Sequence, residues 1–194
     1  MNTPLTNLTP RILVVDDNVA IHEDFRKILG DRTSIPYPLE NVEAELFGKS
    51  TKVSERMIFR LDCASQGQEA LILVERSLQA KDHYALVFVD IRMPPGLDGI
   101  ETIERIWQIC PDMQAVICTA YSDYSWDEIT SRFGHTDNLL ILKKPFETVE
   151  VLQVAHALTR KWAVGRQSRL HLEELERRLM DRNYKTEPEL SKRR

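Results

Sequence analysis

Five residues of this 194-residue sequence have types and positions suited to doing chemistry together: Asp16, Asp17, Asp90, Thr119 and Lys144. Each closes or follows a short apolar run. The acidic pair follows Ile12 to Val15, Asp90 follows Ala85 to Val89, Thr119 follows Ala115 to Cys118, and Lys144 follows Leu139 to Leu142. Three carboxylates brought together repel one another and raise each other's pKa. A hard divalent cation relieves that repulsion, and Mg²⁺ takes one or two carboxylates together with waters and phosphate oxygens. A lysine and a hydroxyl at the same place supply donors for a dianionic phosphoryl group. The chemistry predicted by this set is phosphorylation of an aspartate, with the metal neutralising charge in a loose transition state.

That chemistry requires the five residues to meet, and the hydrophobic pattern supplies the means. Continuous Val- and Ile-rich runs read as strands buried on both faces. A weaker fifth run, Phe59 to Cys63, alternates with period 2 and reads as an edge strand. Helical patterns lie between the runs: Ile21, Phe25, Ile28 and Leu29 before Gly30; Ala70, Leu71 and Val74; Ile100, Ile103, Ile106 and Trp107 before Pro111; Trp126, Ile129 and Phe133; and Val151, Val154, Ala155 and Leu158. Five strands alternating with five helices imply a doubly wound parallel sheet with right-handed crossovers. Ligands of such sheets sit at the carboxyl ends of the strands, where all five candidate residues would emerge.

Two segments fall outside the alternation. Residues 31–58 are too long for a usual connection and read as an insertion with its own short helix, marked by Leu39, Val42, Leu46 and Phe47. From Thr159 on, Leu170, Leu172, Leu175 and Leu179 alternate with charged residues in an amphipathic helix. Gly165 is expected to interrupt its heptads, and the end from Lys185 is expected to fray. The expected division is therefore residues 1–160 as one domain and 161–194 as a helical linker or dimerisation segment.

Composition excludes other classes. Lys and Arg number 26 against 30 Asp and Glu, a net charge of −4 that gives no general reason to bind nucleic acid. The longest apolar runs fall far short of the ~20 residues that span a bilayer. No basic segment followed by an apolar core marks a secretory signal, so a cytoplasmic location is expected. Cys63, Cys110 and Cys118 lie in apolar stretches at spacings unlike a metal motif and read as buried free thiols. His22, His83, His135, His156 and His171 are scattered in the same sense, and His171 reads as an exposed helix residue.

With these residues in place, the sequence resembles the receiver domain of two-component response regulators. The resemblance rests on Ile12-Leu13-Val14-Val15-Asp16-Asp17, Val87-Phe88-Val89-Asp90-Ile91-Arg92-Met93-Pro94, Asp98-Gly99, Cys118-Thr119-Ala120 and Lys144-Pro145-Phe146, in that order. It covers roughly residues 9 to 160 and implies a flavodoxin-like (βα)5 fold with an insertion after the first helix and a C-terminal helical extension. It also implies that Asp90 is the phosphoacceptor and that Asp17 ligates Mg²⁺ directly. Asp16 would support the metal through water, and the backbone carbonyl of Arg92 would complete the ligands. Thr119 would hydrogen-bond the phosphoryl group and Lys144, rather than Lys143, would pair with it. The family's bond before proline is cis, so the Lys144–Pro145 bond is expected to be cis. The phosphoryl donor would be a sensor histidine kinase or phosphotransfer protein, and the domain would turn over no external substrate.

The sequence departs from the family pattern at three places. The loop from Met93 to Gly99 has one more residue than usual, and Asp90 stands 73 positions after Asp17 (90 minus 17). The position that usually carries a switching aromatic, three before the lysine, is Ile141, which leaves Tyr121 and Tyr124 as nearby aromatics. Arg92 and Tyr121 stand two residues after Asp90 and Thr119, where the family resemblance places gates for hydrolytic water. The rival reading is an aspartyl phosphatase or phosphotransferase of the haloacid dehalogenase type, which uses the same residue types. That family has an Asp-x-Asp nucleophile first and its acidic pair last, whereas here the pair leads. A transcription factor is expected to need more than the segment after Thr159, and no helix-turn-helix pattern is present there, so no DNA binding is expected. The terminal helix offers a possible homodimer contact through Leu172, Leu175 and Leu179, spaced i, i+3 and i+7.

Overall fold

The computed structural model describes residues 9–30, 58–120, 126–134 and 136–191. The stretch with Leu39, Val42, Leu46 and Phe47, and the aromatics Tyr121 and Tyr124, lie outside them. The elements in chain order are β1 (Arg11–Val15), α1 (Val19–Leu29), β2 (Arg60–Ala64), α2 (Gly67–Gln79), β3 (Tyr84–Asp90), α3 (Gly99–Ile109), β4 (Gln114–Thr119), α4 (Trp126–Phe133), β5 (Leu139–Lys143) and α5 (Thr148–Ser191). All strands are parallel, in the order β2-β1-β3-β4-β5. The doubly wound sheet expected from the pattern is therefore the fold, and the weak run that alternated does lie at an edge.

Burial explains the patterns. β3 and β4 are covered on both faces, so Ala85 to Val89 and Ala115 to Cys118 are all buried. One face, with Leu13, Val15, Val87, Val89, Ala115 and Ile117, packs against α2, α3 and α4 through Ala70, Val74, Ile100, Ile103, Ile106 and Ile129. The other, with Ile12, Val14, Leu86, Phe88, Val116 and Cys118, packs against α1 and α5 through Phe25, Leu29, Val151, Ala155 and Leu158. Each strand side chain belongs to one face only, because successive residues point to opposite sides. A shift of one residue in any central strand would exchange the two cores, so the register is strongly fixed.

The edge strand β2 carries polar residues, and a network at its amino-terminal end holds it. Arg11 on β1 donates from Nη2 to Asp62 Oδ2 at 2.6 Å and to the Tyr84 hydroxyl at 2.8 Å. The same hydroxyl donates to Asp62 Oδ2 at 2.9 Å, and Arg60 pairs with Asp82 at 2.5 Å. Tyr84 is fully buried, and burial, followed by the bond to Asp62, raises its phenol well above the ordinary range. The hydroxyl stays protonated and acts as a permanent bridge between three strands.

The C-terminal segment is a single long helix. α5 runs from Thr148 to Ser191 through Gly165 and past Lys185. The helix is continuous through Gly165 and across the 160/161 boundary. Val151, Ala155, Leu158 and Thr159 bury the first turns against the sheet. Lys161 then pairs with Asp137 at 2.8 Å and donates to Asn138 Oδ1 at 3.1 Å, and Arg169 pairs with Asp112. These contacts brace the helix past Gly165 and make up for the low helix propensity of glycine. Of the cysteines, Cys110 and Cys118 are buried free thiols as expected, while Cys63 on the edge strand is only half-buried.

A methyl group added at Gly165 would meet nothing within 4 Å. Gly165→Ala should therefore stabilise the protein by about 0.5–1 kcal/mol, through helix propensity alone. Urea unfolding should show a higher midpoint with an unchanged slope.

Candidate functional site

Parallel strands end on one edge, so the polar residues at their carboxyl ends converge. β1 and β3 are neighbours with Val15 opposite Val89, which sets Asp16, one residue past β1, beside Asp90, the last residue of β3. Oxygens of Asp16, Asp17 and Asp90 lie within 4.8 Å of one another. Into this group comes Lys144 from just past β5. Its Nζ donates to Asp16 Oδ2 at 2.7 Å and to Asp90 Oδ1 at 2.6 Å. The Lys143 side chain is exposed, so the lysine that meets the carboxylates is the one directly before the proline. The Lys144–Pro145 bond is cis, as is Pro94–Pro95.

The surroundings of each group set its charge. Asp16 is 3% exposed, and its Oδ1 accepts from the Asn18 backbone N–H at 2.9 Å. Asn18 itself caps α1, accepting from the Ala20 N–H at 3.0 Å. Helix capping therefore does not account for either aspartate. Asp17 is exposed at the mouth of the site. Asp90 is held above the ordinary carboxylate range, first by burial and further by the Asp16 charge; Lys144 and the Arg92 N–H, 3.3 Å from Oδ2, act against this. Burial alone would lower the Lys144 pKa, but bonds to Asp16 and Asp90 outweigh it and hold the ammonium above its usual range. Cys118, fully buried beside the site, is pushed up to about 12 by burial and stays a thiol.

The remaining residues surround this group. Thr119, 7% exposed, ends β4 between β3 and β5, with its Oγ1 donating to the Ala120 carbonyl at 2.8 Å. The Lys144 N–H donates to the Thr119 carbonyl at 2.8 Å, tying the lysine to the threonine's strand. Asp98 caps α3 by accepting from the Glu101 N–H at 2.7 Å, and the Gly99 N–H donates to the Ile91 carbonyl at 3.0 Å. A Cβ on Gly99 would lie 2.4 Å from the Asp90 carbonyl oxygen, so the Asp-Gly pair permits the close return of the chain behind Asp90. Arg92 lies on this loop, its N–H directed at Asp90.

The donor set fits a hard divalent cation. Lys144 pairs with two of the three clustered carboxylates, so a single ammonium stands against three acids at a partly buried place. All the ligand atoms on offer are oxygens, the preference of such cations. This is the one such group among the described residues. Sequence reasoning missed Asn18, which an Asn directly before a helical pattern could have signalled. It also missed Gln66, which donates to the Pro94 carbonyl at 3.4 Å and which no sequence pattern marks.

Fold and site together define a phosphoacceptor-type (βα)5 domain. The family model for the response regulator receiver domain matches residues 40–156, more than half of the chain, and the protein belongs to that family. The family is one of two-component signalling domains, and nothing favours the haloacid dehalogenase alternative. The match includes Asp90, Arg92, Thr119 and Lys144; Asp16 and Asp17 lie before it and join them through the fold. No curated protein matches the sequence. Solved structures do match in fold. A CheY-like receiver domain protein from Methanospirillum hungatei is 20% identical, with a TM-score of 0.55, over 80% of this chain and 97% of its own. The signal receiver domain of an HD domain-containing protein from Pseudomonas fluorescens is 19% identical, with a TM-score of 0.58, over 86% and 98%. An adenylate cyclase from Rhodopirellula baltica is 20% identical, with a TM-score of 0.61, over 86% and 98%. At these identities the likeness is one of fold. No described helix is long and apolar enough to cross a membrane.

A cation that binds only the folded site stabilises it by mass action. Mg²⁺ at ten times its dissociation constant should add about 1.4 kcal/mol, or about 3–6 °C in melting temperature for a chain of this size. Asp17→Asn should remove most of that rise, as read by calorimetric melts with and without Mg²⁺.

Proposed function

We propose that the protein is a phosphorylation-controlled receiver in which Asp90 accepts the phosphoryl group from a sensor histidine kinase or phosphotransfer protein in the cytoplasm. The observation that carries this reading is the Lys144 ammonium shared by Asp16 and Asp90 beside Asp17. An Asp90 oxygen attacks phosphorus, the bond from phosphorus to the donor's imidazole nitrogen breaks, and the imidazole leaves with the electron pair. Mg²⁺, held by Asp16, Asp17, Asp90 and the Arg92 carbonyl, would supply charge neutralisation for the transferring group. Lys144 then exchanges its bond to Asp90 for one to a phosphoryl oxygen, keeping its bond to Asp16. Thr119 turns its hydroxyl from the Ala120 carbonyl to donate to another. Acyl phosphate formation of this kind is self-catalysed and needs no further active-site base.

Output in this reading runs through α5. Leu172, Leu175 and Leu179 are 58%, 41% and 55% exposed, on a helix that extends beyond its braced part. A continuous helix with leucines at heptad spacing is suited to pairing with a second copy, as an alternative to standing in water as a lone strut. Three leucines offer ~1.5–3 kcal/mol of burial each, against a substantial cost of association, so the dimer is weak and open to control.

Incubation with Mg²⁺ and acetyl phosphate should give a base- and hydroxylamine-labile adduct on Asp90 and none in Asp90→Asn; unchanged labelling of that variant would refute the assignment. Sedimentation should show a concentration-dependent dimer whose dissociation constant changes with acetyl phosphate. Leu172→Glu with Leu175→Glu should remain a monomer under both conditions.

A further inference from the structure

We infer that Gln66, in the turn between β2 and α2, is a positioning residue for the cation site, acting through the enlarged loop after β3. The inference rests on the receiver reading above and concerns how this chain accommodates the extra residue between Asp90 and Gly99. The turn is fixed to both halves of the site. On one side the Ala64 carbonyl accepts from the Asp16 N–H at 3.1 Å, and the Ser65 N–H donates to Glu69 Oε2 at 2.7 Å, which anchors the turn to α2. On the other, Gln66 Nε2 donates to the Pro94 carbonyl at 3.4 Å, two residues beyond Arg92.

Packing shows that the contact is closely fitted. Gln66 Oε1 is buried with no hydrogen-bond partner among the described residues. A Cβ on Gly96 would stand 2.3 Å from that oxygen, so the amide lies flat on the glycine backbone. Gly96 has no backbone conformation that requires glycine, and a side chain there would require the Gln66 amide to move away. Its N–H returns to the Met93 carbonyl at 3.2 Å, closing the loop into a turn beneath the glutamine. Next to Gln66, a Cβ on Gly67 would fall 2.1 Å from Thr102 Oγ1 and 3.0 Å from Leu97 Cβ, so α2 also presses on the far end of the loop. A loop with one residue too many can bow in several ways. Gln66 and its neighbour hold it in the one that keeps Arg92 against Asp90. Residues that hold a metal site's ligands in place without touching the ion commonly change its affinity by tenfold or more.

The geometry gives a test by substitution. Gln66→Ala removes the amide. Gly96→Ala adds a methyl group that the flexible glutamine can escape only by leaving the loop. Both should weaken Mg²⁺ binding by about tenfold in isothermal titration. The double variant should bind no more weakly than either single one, because both changes break one contact. Melting temperatures without Mg²⁺ should fall by only a few degrees, separating positioning from general instability. The Mg²⁺ concentration for half-maximal acetyl phosphate labelling should rise in step, while labelling at saturating Mg²⁺ still occurs on Asp90. Unchanged Mg²⁺ affinity in Gln66→Ala, or independent additive losses in the double variant, would overturn the inference. Failure of the wild type to label at Asp90 would instead refute the phosphoacceptor reading, since calorimetric Mg²⁺ binding does not depend on labelling.

Discussion

Lys144 reaches two carboxylates, Asp16 at 2.7 Å and Asp90 at 2.6 Å, that come from neighbouring strands and would otherwise repel each other in a half-buried place. Burying a charged group is costly unless it is paired, and one ammonium shared by two acids meets only part of that need. The rest of the structure can be understood from this constraint. β1 and β3 must be adjacent for the acids to meet, and β4 and β5 must follow on the same side for the lysine to arrive. The sheet order β2-β1-β3-β4-β5 meets both conditions. The residual negative charge makes the edge a place for a cation and, with it, for a phosphoryl group.

Rigidity beneath the edge keeps the separation of these groups small. Both cores are built from strand side chains in strict alternation, so the polar residues at the strand ends inherit a fixed height and direction. The half-buried bridge of Arg11, Tyr84 and Asp62 fixes the opposite end of β1, β2 and β3. Loops carry what the strands do not. Asp98 and Gly99 return the chain close behind Asp90, and the turn before α2 reaches both the Asp16 loop and the loop beyond Arg92.

In the proposed reading, the long last helix carries the output of this body. Its first turns belong to the apolar core, and Lys161 and Arg169 then bind acids at the start of β5 and β4. Those strands end in Thr119 and beside Lys144, so the helix is braced by the same two strands that carry the residues proposed to bind the phosphoryl group. The absence of an aromatic at Ile141 removes the usual inward-swinging side chain from β5. In the proposed reading, a helix fixed to the strands themselves takes the place of that connection between site and output.

The sequence alone determined the strands, the helices and five of the site residues. Continuous Val and Ile runs have few alternatives to a sheet covered on both faces, and the acid, hydroxyl and lysine that close those runs must then share an edge. The bracing of α5 on either side of Gly165 was not legible, because propensity is a local quantity and the ion pairs come from Asp137 and Asp112, 28 and 53 positions earlier (165 minus 137 and 165 minus 112). Which residue caps α1 was decided by the structure, where Asn18 takes that role. Nor could the sequence find Gln66, whose role depends on the contact between a turn at one edge of the sheet and a loop at its centre. Such contacts are set by tertiary packing, where residues distant in the chain meet and no periodicity records the encounter.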